Sequence, residues 1–274
     1  MANPFGILFH PKPIETFLWM VAQQESYSEL DLCYNHGLWH SFDAHSELSH
    51  PDKQTVLDRL KIRQEAAHQF LKEATHIGIT LGTAWGYRHR EMDTIVANCH
   101  KFPATDFEKV LTPIDELTQS IFHTVHLVRQ VAPNAQLFFT VSPVRHQKDG
   151  MIWNTLSKAH LIASLHTLIS ENEDLSYFPS YEIMMDELRD YRFYDRDMLH
   201  PSSVAVDYIW ERFANACLSP TANSILSEID KLQKSLRHRP FHTNSEAHQE
   251  FKQKLEERLS VFQSKHPEVR LNLS

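Results

Sequence analysis

The 274-residue sequence predicts an α/β domain built on a mainly parallel sheet, followed by a helical extension. Short runs rich in β-branched and aromatic residues alternate with helix-period runs of ten or more residues. Turn formers close the strand-like runs. From Ser219 onward the strand signal fades and charged, helix-period sequence takes over. The expected domains are therefore 1–218 and 219–274.

The run after Pro51 keeps Val56, Leu60, Ala67 and Phe70 on one helical face. The stretch HIGITLG, His76 to Gly82, reads as a buried strand. Thr112, Pro113 and Asp115 supply an N-cap, a proline at the first helical position and a capping-box acid, and Ile114, Leu117, Ile121, Val125 and Val128 form the stripe of that helix. QLFFTVSP, Gln136 to Pro143, is a second buried strand, a helix from Asn154 to about Ser170 follows, and LSYFPS is a short third strand. Next come the helix-like YEIMMDELRD, the loop DMLHPS from Asp197 to Ser202, and a closing helix whose stripe is Val206, Ile209, Trp210, Phe213 and Cys217. In the tail, Ile225, Ile229, Leu232 and Leu236 mark one helix, while Phe251, Leu255, Leu259 and Phe262 mark another. The loop RHRPFHTNS between them completes a hairpin. A parallel sheet gathers reactive groups at the carboxyl ends of its strands, which brings GTAW, SPVRH and DMLHPS toward one edge.

Composition removes several function classes. Apolar residues at 42% and charged residues at 23% match ordinary globular usage and argue against disorder. No apolar run reaches bilayer length, so no membrane span is expected. The opening MANPFGILFHPKP lacks the basic and apolar regions of a secretory signal. A net charge of -8 with dispersed Lys and Arg argues against nucleic acid as a partner. Cys33, Cys99 and Cys217 have no CxxC spacing, which fits free thiols in a reducing, cytoplasmic setting.

The chemistry-bearing pattern is Asp197 and His200. Three residues apart in a loop, the carboxylate can fold back onto one imidazole nitrogen and leave the other facing a substrate, the arrangement an acyl-transfer base requires. With 19 histidines in the chain such a pair also arises by chance, so its place just before the last helix of the α/β domain is what singles it out. Arg145 and His146 are polar groups beside a strand end, suited to a substrate carboxylate or phosphate or to a structural ion pair. Ser142, Ser180 and Ser202 read as turn or helix-start hydroxyls, since no GxSxG stands in the chain. His36 and His40 are spaced by four and followed by His45 and His50, but Gly37 weakens a helix there and no HExxH glutamate accompanies them, so no metal is expected. Gly78, Gly82 and Gly86 lack the lysine of a P-loop, and no nucleotide cofactor is expected.

NPFGILFHP, YNHGLWHSFDAHS, ITLGTAW, VANCHKFP, FTVSPVRHQKDG, NTLSKA, YFPSYEIMMDELRDYRFY and DMLHPSSVAVDYIWERF, in that order, resemble the GSCFA family of the SGNH hydrolase superfamily over roughly the whole chain. The resemblance implies a flavodoxin-like three-layer α/β/α sandwich. It also implies ester hydrolysis or acyl transfer on an O-acyl ester, such as a saccharide ester, with Asp197 as acid, His200 as base and no cofactor. By the same analogy Gly6 and Gly82 occupy positions of oxyanion turns. Ala84 stands where the superfamily has an asparagine, leaving Asn3, Asn98 and Thr83 as alternative donors. The Gly-Ser-Cys-Phe-Ala stretch that names the family, with its presumed nucleophilic serine, normally stands upstream of NPFG. The expectation is that this chain lacks that segment and its strand, and is inactive without them. The alternative is a non-catalytic binding protein retaining the fold. Oligomeric state is not legible.

Overall fold

The computed structural model describes residues 1–146, 148, 150–237, 246–267 and 269. The chain divides into two compact units, Met1–Val206 and Asp207–Ser274. In chain order the first contains α1 (Pro11–Gln23), β1 (Cys33–Asn35), β2 (Leu38–His40), α2 (Lys53–Glu73), β3 (His76–Leu81), β4 (Trp85–His89), β5 (Thr94–Val96) and β6 (Phe107–Leu111). It continues with α3 (Ile114–Val131), β7 (Gln136–Val141), α4 (Met151–Ser170), β8 (Leu175–Tyr177), the one-turn α5 (Ser180–Glu182) and the start of α6 (Ser203–Cys217).

The fold is mixed α/β. Strands β3, β7 and β8 form a parallel sheet in the order β3-β7-β8, with Ile79 opposite Phe139 and Leu137 opposite Leu175. The three strands legible in the sequence are these three. Their inward residues Leu81, Leu137, Phe139 and Val141 are at most 1% exposed, and join Leu60 of α2, Leu117 and Ile121 of α3 and Leu161 and Leu165 of α4 in one core. The sequence reading missed the antiparallel sheet β5-β4-β6 and the hairpin β1-β2. Those strands are short and half polar, and only Gly86, Ile95, Val96 and Phe107 of the sheet and His40 of the hairpin are buried, so no run of apolar residues announces them.

Several local expectations are corrected. Pro113, not Thr112, occupies the N-cap of α3 and has no side-chain acceptor to offer, while the Thr112 hydroxyl is turned instead to the buried His10 Nε2 at 3.0 Å. YEIMMDELRD forms only the single turn α5 and a π-turn at Ile183–Glu187, closed by the Leu188 N–H on the Ile183 carbonyl. Phe70, expected on the buried face of α2, is 46% exposed. Val206, Trp210 and Cys217, expected in the stripe of α6, are exposed, the first two at 53% and 52%.

One consequence of the register positions the site. The Thr75 and Leu81 carbonyls accept from Gln136 and Ser142 N–H across the β3–β7 pair, so alternate residues Ile77 and Ile79 also face β7. The main-chain groups of His76, Gly78 and Thr80 therefore point the other way, where β3 has no strand partner among the described residues. That edge opens on a groove of about 540 Å³, walled by apolar residues such as Phe17 and Leu18 of α1, Ala67 and Phe70 of α2 and Val128 of α3, and reaching Gly82 and Ser142.

The second unit contains α7 (Pro220–Arg237) and α8 (Glu246–Lys265), which pack through Leu232, Leu255 and Phe262, all under 9% exposed, with Ile225, Ile229 and Leu259 against them. This is the hairpin the two apolar stripes predict. Its connecting loop falls outside the described residues from position 238 to 245.

Candidate active site

The loop 193–202 is closed on itself by backbone bonds: Asp195 N–H donates to the His200 carbonyl at 2.8 Å and Ser202 N–H to the Phe193 carbonyl at 2.7 Å. Met198 turns the chain at φ 61°, in the left-handed region. Asp197 Oδ1 then accepts the N–H groups of Leu199 at 2.8 Å and His200 at 3.0 Å, an Asx turn that fixes the carboxylate. Its other oxygen, Oδ2, lies 2.6 Å from His200 Nδ1. The His200 N–H, the imidazole and the Leu199 N–H hold the Asp197 carboxyl at a pKa of about 2, below its ordinary 3.8. The aspartate is thus ionised at neutral pH and can only accept, so Nδ1 is the donor and Nε2 is the ring nitrogen left free on a side chain that is 60% exposed. Among the described residues the ring has no other hydrogen-bond partner.

Three segments meet here. Arg145 N–H donates to the Leu199 carbonyl at 3.2 Å, tying the SPVRH loop after β7 to the aspartate–histidine loop. The His146 main-chain N–H donates to Asn154 Oδ1 at 2.9 Å. Burial lowers the His146 pKa, and the nearby charges of Lys158, Lys109 and His200 lower it further.

Gly82 and Thr83 N–H both donate to the Phe9 carbonyl, at 2.8 and 3.1 Å. Two adjacent donors therefore converge on one oxygen at the end of β3. Thr83 Oγ1 accepts from Trp85 N–H at 2.9 Å and meets Ser157 Oγ at 3.1 Å. Gly6, at φ 85°, donates its N–H to the Asn3 carbonyl at 2.9 Å, and both line the groove beside β3. Asn98 is in a separate cluster, donating to Ser46 Oγ at 3.2 Å and accepting from His100 N–H at 2.9 Å. Ser142 and Ser202 cap turns, Oγ accepting from Val144 N–H and from Ala205 N–H, whereas Ser180, expected at a helix start, caps nothing and donates its Oγ to the Val141 carbonyl at the end of β7.

Lys158, which the sequence reading did not single out, is 1% exposed at the centre of this edge. Its Nζ donates to the Gly82 carbonyl at 2.5 Å and to the Ser142 carbonyl at 2.7 Å, stapling the ends of β3 and β7. The neighbouring Ser157 Oγ accepts the Ala84 N–H at 2.8 Å. The signal was present: Asn154, Lys158, Leu161, Leu165 and Leu168 keep the 3–4 spacing of the buried face of α4, so the lysine holds an inward register position. Burial brings its pKa down from 10.5 to about 7.

Among the described residues no group of three or more His, Cys, Asp and Glu is placed to hold a metal ion. The histidines of HGLWH go elsewhere: His40 Nδ1 is 2.6 Å from Ser49 Oγ, and its ring stacks on His100 at 4.4 Å. Cys33, Cys99 and Cys217 are free thiols. No helix among the described residues is long and apolar enough to cross a membrane.

A parallel-sheet α/β protein with an ordered aspartate–histidine pair at the carboxyl edge of its strands is the class these features define. Comparison with known families is specific: the GSCFA family matches residues 1–213, and the C-terminal domain of GSCFA domain proteins matches residues 229–273. The chain belongs to the GSCFA family. Neither a curated protein nor a solved structure matches it.

Proposed function

We propose that this chain is an SGNH-type hydrolase or acyltransferase acting on an O-acyl ester of a saccharide or other polar alcohol, on a flavodoxin-like three-layer fold. The observation that carries the reading is the pair at 2.6 Å, an aspartate held by two backbone N–H groups and an imidazole with Nε2 facing out. That is the state of a general base ready to take a hydroxyl proton and return it to the leaving alcohol. Two further features support it. The Gly82 and Thr83 N–H groups converge on the Phe9 carbonyl as they would on a developing oxyanion, so the reading requires residues 7–9 to yield that position to substrate. The free edge of β3, with its apolar groove ending at Gly82 and Ser142, has the form of a seat for one more parallel strand bearing the nucleophilic serine at its carboxyl end.

The test joins a strand containing Gly-Ser-Cys-Phe-Ala ahead of Asn3 and measures turnover of short-chain aryl esters with and without His200→Ala. Turnover that falls about a thousandfold or more in the variant is expected. Equal turnover refutes the role. A second reading, a non-catalytic binding protein with the same cleft, is favoured by one fact: no serine hydroxyl bonds the His200 ring among the described residues. It predicts that a serine-directed phosphonate never labels the joined chain.

A further inference from the structure

One guanidinium at this edge, that of Arg145, meets ring faces and no carboxylate, in a chain whose net charge is -8. The Arg145 guanidinium lies 4.0 Å from the Tyr194 ring and 5.9 Å from the Tyr191 ring, half-buried, and no carboxylate comes within ion-pair distance of it among the described residues. Its own main chain is bonded to Leu199, one residue before His200. His146 follows it directly, within electrostatic reach of Lys158, Lys109 and His200. Two of the acids nearby are already engaged: Asp197 is held by His200, and Glu182 accepts from the Tyr177 hydroxyl at 2.8 Å. A guanidinium left without a carboxylate partner favours a counter-ion from outside the chain.

Ring faces frame the same edge. Trp85 and Trp153 meet edge to face at 5.7 Å, with Trp153 49% exposed, and Tyr191 is 62% exposed. Lys109 Nζ sits 5.0 Å from the Trp85 ring. A flat guanidinium fork supported on tyrosine is the group that takes a carboxylate or phosphate through two parallel hydrogen bonds.

We propose that the substrate of this site is an anionic sugar ester, its carboxylate or phosphate held by Arg145 with His146 beside it. This rests on the reading of the edge as the active site, but it is measured by binding and not by turnover, so loss of either claim is visible without the other. The experiment is calorimetric titration of the chain with galacturonate, glucose 6-phosphate, inorganic phosphate and neutral galactose, in parent, Arg145→Gln, Arg145→Lys and the control Arg63→Gln on the exposed surface of α2. Expected is binding of at least one sugar anion at least about tenfold tighter than galactose. Arg145→Gln should weaken it about tenfold or more, Arg145→Lys less, and Arg63→Gln leave it unchanged. Whether the uronate or the sugar phosphate binds tells carboxylate from phosphate, and the inorganic ion alone tells whether the sugar contributes. Galactose binding as tightly as the anions, no anion binding, or an Arg145→Gln protein that binds the anion as tightly as parent and Arg63→Gln overturns the assignment.

Discussion

Replacing Lys158 with methionine isolates the buried charge at the strand ends. In the parent the ammonium is 1% exposed, bonded to the Gly82 and Ser142 carbonyls, and burial has moved its pKa from 10.5 to about 7. The native state releases this proton near pH 7, whereas the unfolded chain keeps it until about pH 10.5. Between those values the unfolded chain binds more protons, so stability rises with pH. Each pH unit well inside that window contributes about 1.4 kcal/mol and the slope at pH 7 is half that, so the parent gains on the order of 2 kcal/mol relative to Lys158→Met between pH 7 and pH 9. At pH 6 two effects oppose each other. Methionine removes a buried charge that costs on the order of 5 kcal/mol, and it leaves two buried carbonyls short of a donor at about 1–3 kcal/mol each. The two proteins should therefore be close in stability at pH 6 and separated by about 2–3 kcal/mol at pH 9, the parent ahead. Urea unfolding followed by circular dichroism at pH 6, 7, 8 and 9 reads both curves, and titrations elsewhere cancel in their difference. Parallel curves between pH 7 and pH 9 would refute a lysine that discharges on burial.

Three other outcomes follow from the geometry. The Asp197 carboxyl should titrate by carbon NMR near pH 2, its bond to His200 intact above the ordinary 3.8 and lost as pH falls through about 2; a midpoint at 3.8 or higher contradicts the Asx turn. Gly6→Ala should lower stability by about 2–4 kcal/mol in chemical denaturation, because φ is 85° and the new Cβ would come 2.2 Å from His45 Cβ; a neutral result would show that the turn relaxes. Thr80→Pro removes an N–H pointing into the open groove, whereas Ile79→Pro removes one bonded to β7, so the first should cost far less in unfolding midpoint, and equal costs would mean the β3 edge is not free.

The sequence by itself determined the elements whose signals are local. The runs at 76–82, 136–143 and 175–180 each hold a strand because short stretches rich in β-branched and aromatic residues end there in turn formers, and the α3, α7 and α8 stripes pack, apart from the exposed Ile114, Leu236 and Phe251, because their spacing matches the helical turn. The Asp197–His200 contact was legible for the same reason, since three residues of one loop suffice to close it. Only the tertiary structure decided the rest. Lys158 becomes the staple of two strands 60 residues apart in sequence because α4 lays its inward face on their ends, and nothing in NTLSKA states which carbonyls it meets. Phe9 reaches Gly82 and Thr83, Arg145 is drawn to Leu199, and β3 is left with one bare edge through contacts between segments far apart along the chain. Such pairings depend on which faces the sheet leaves open once packed, a property of the assembled domain that no window of neighbouring residues contains.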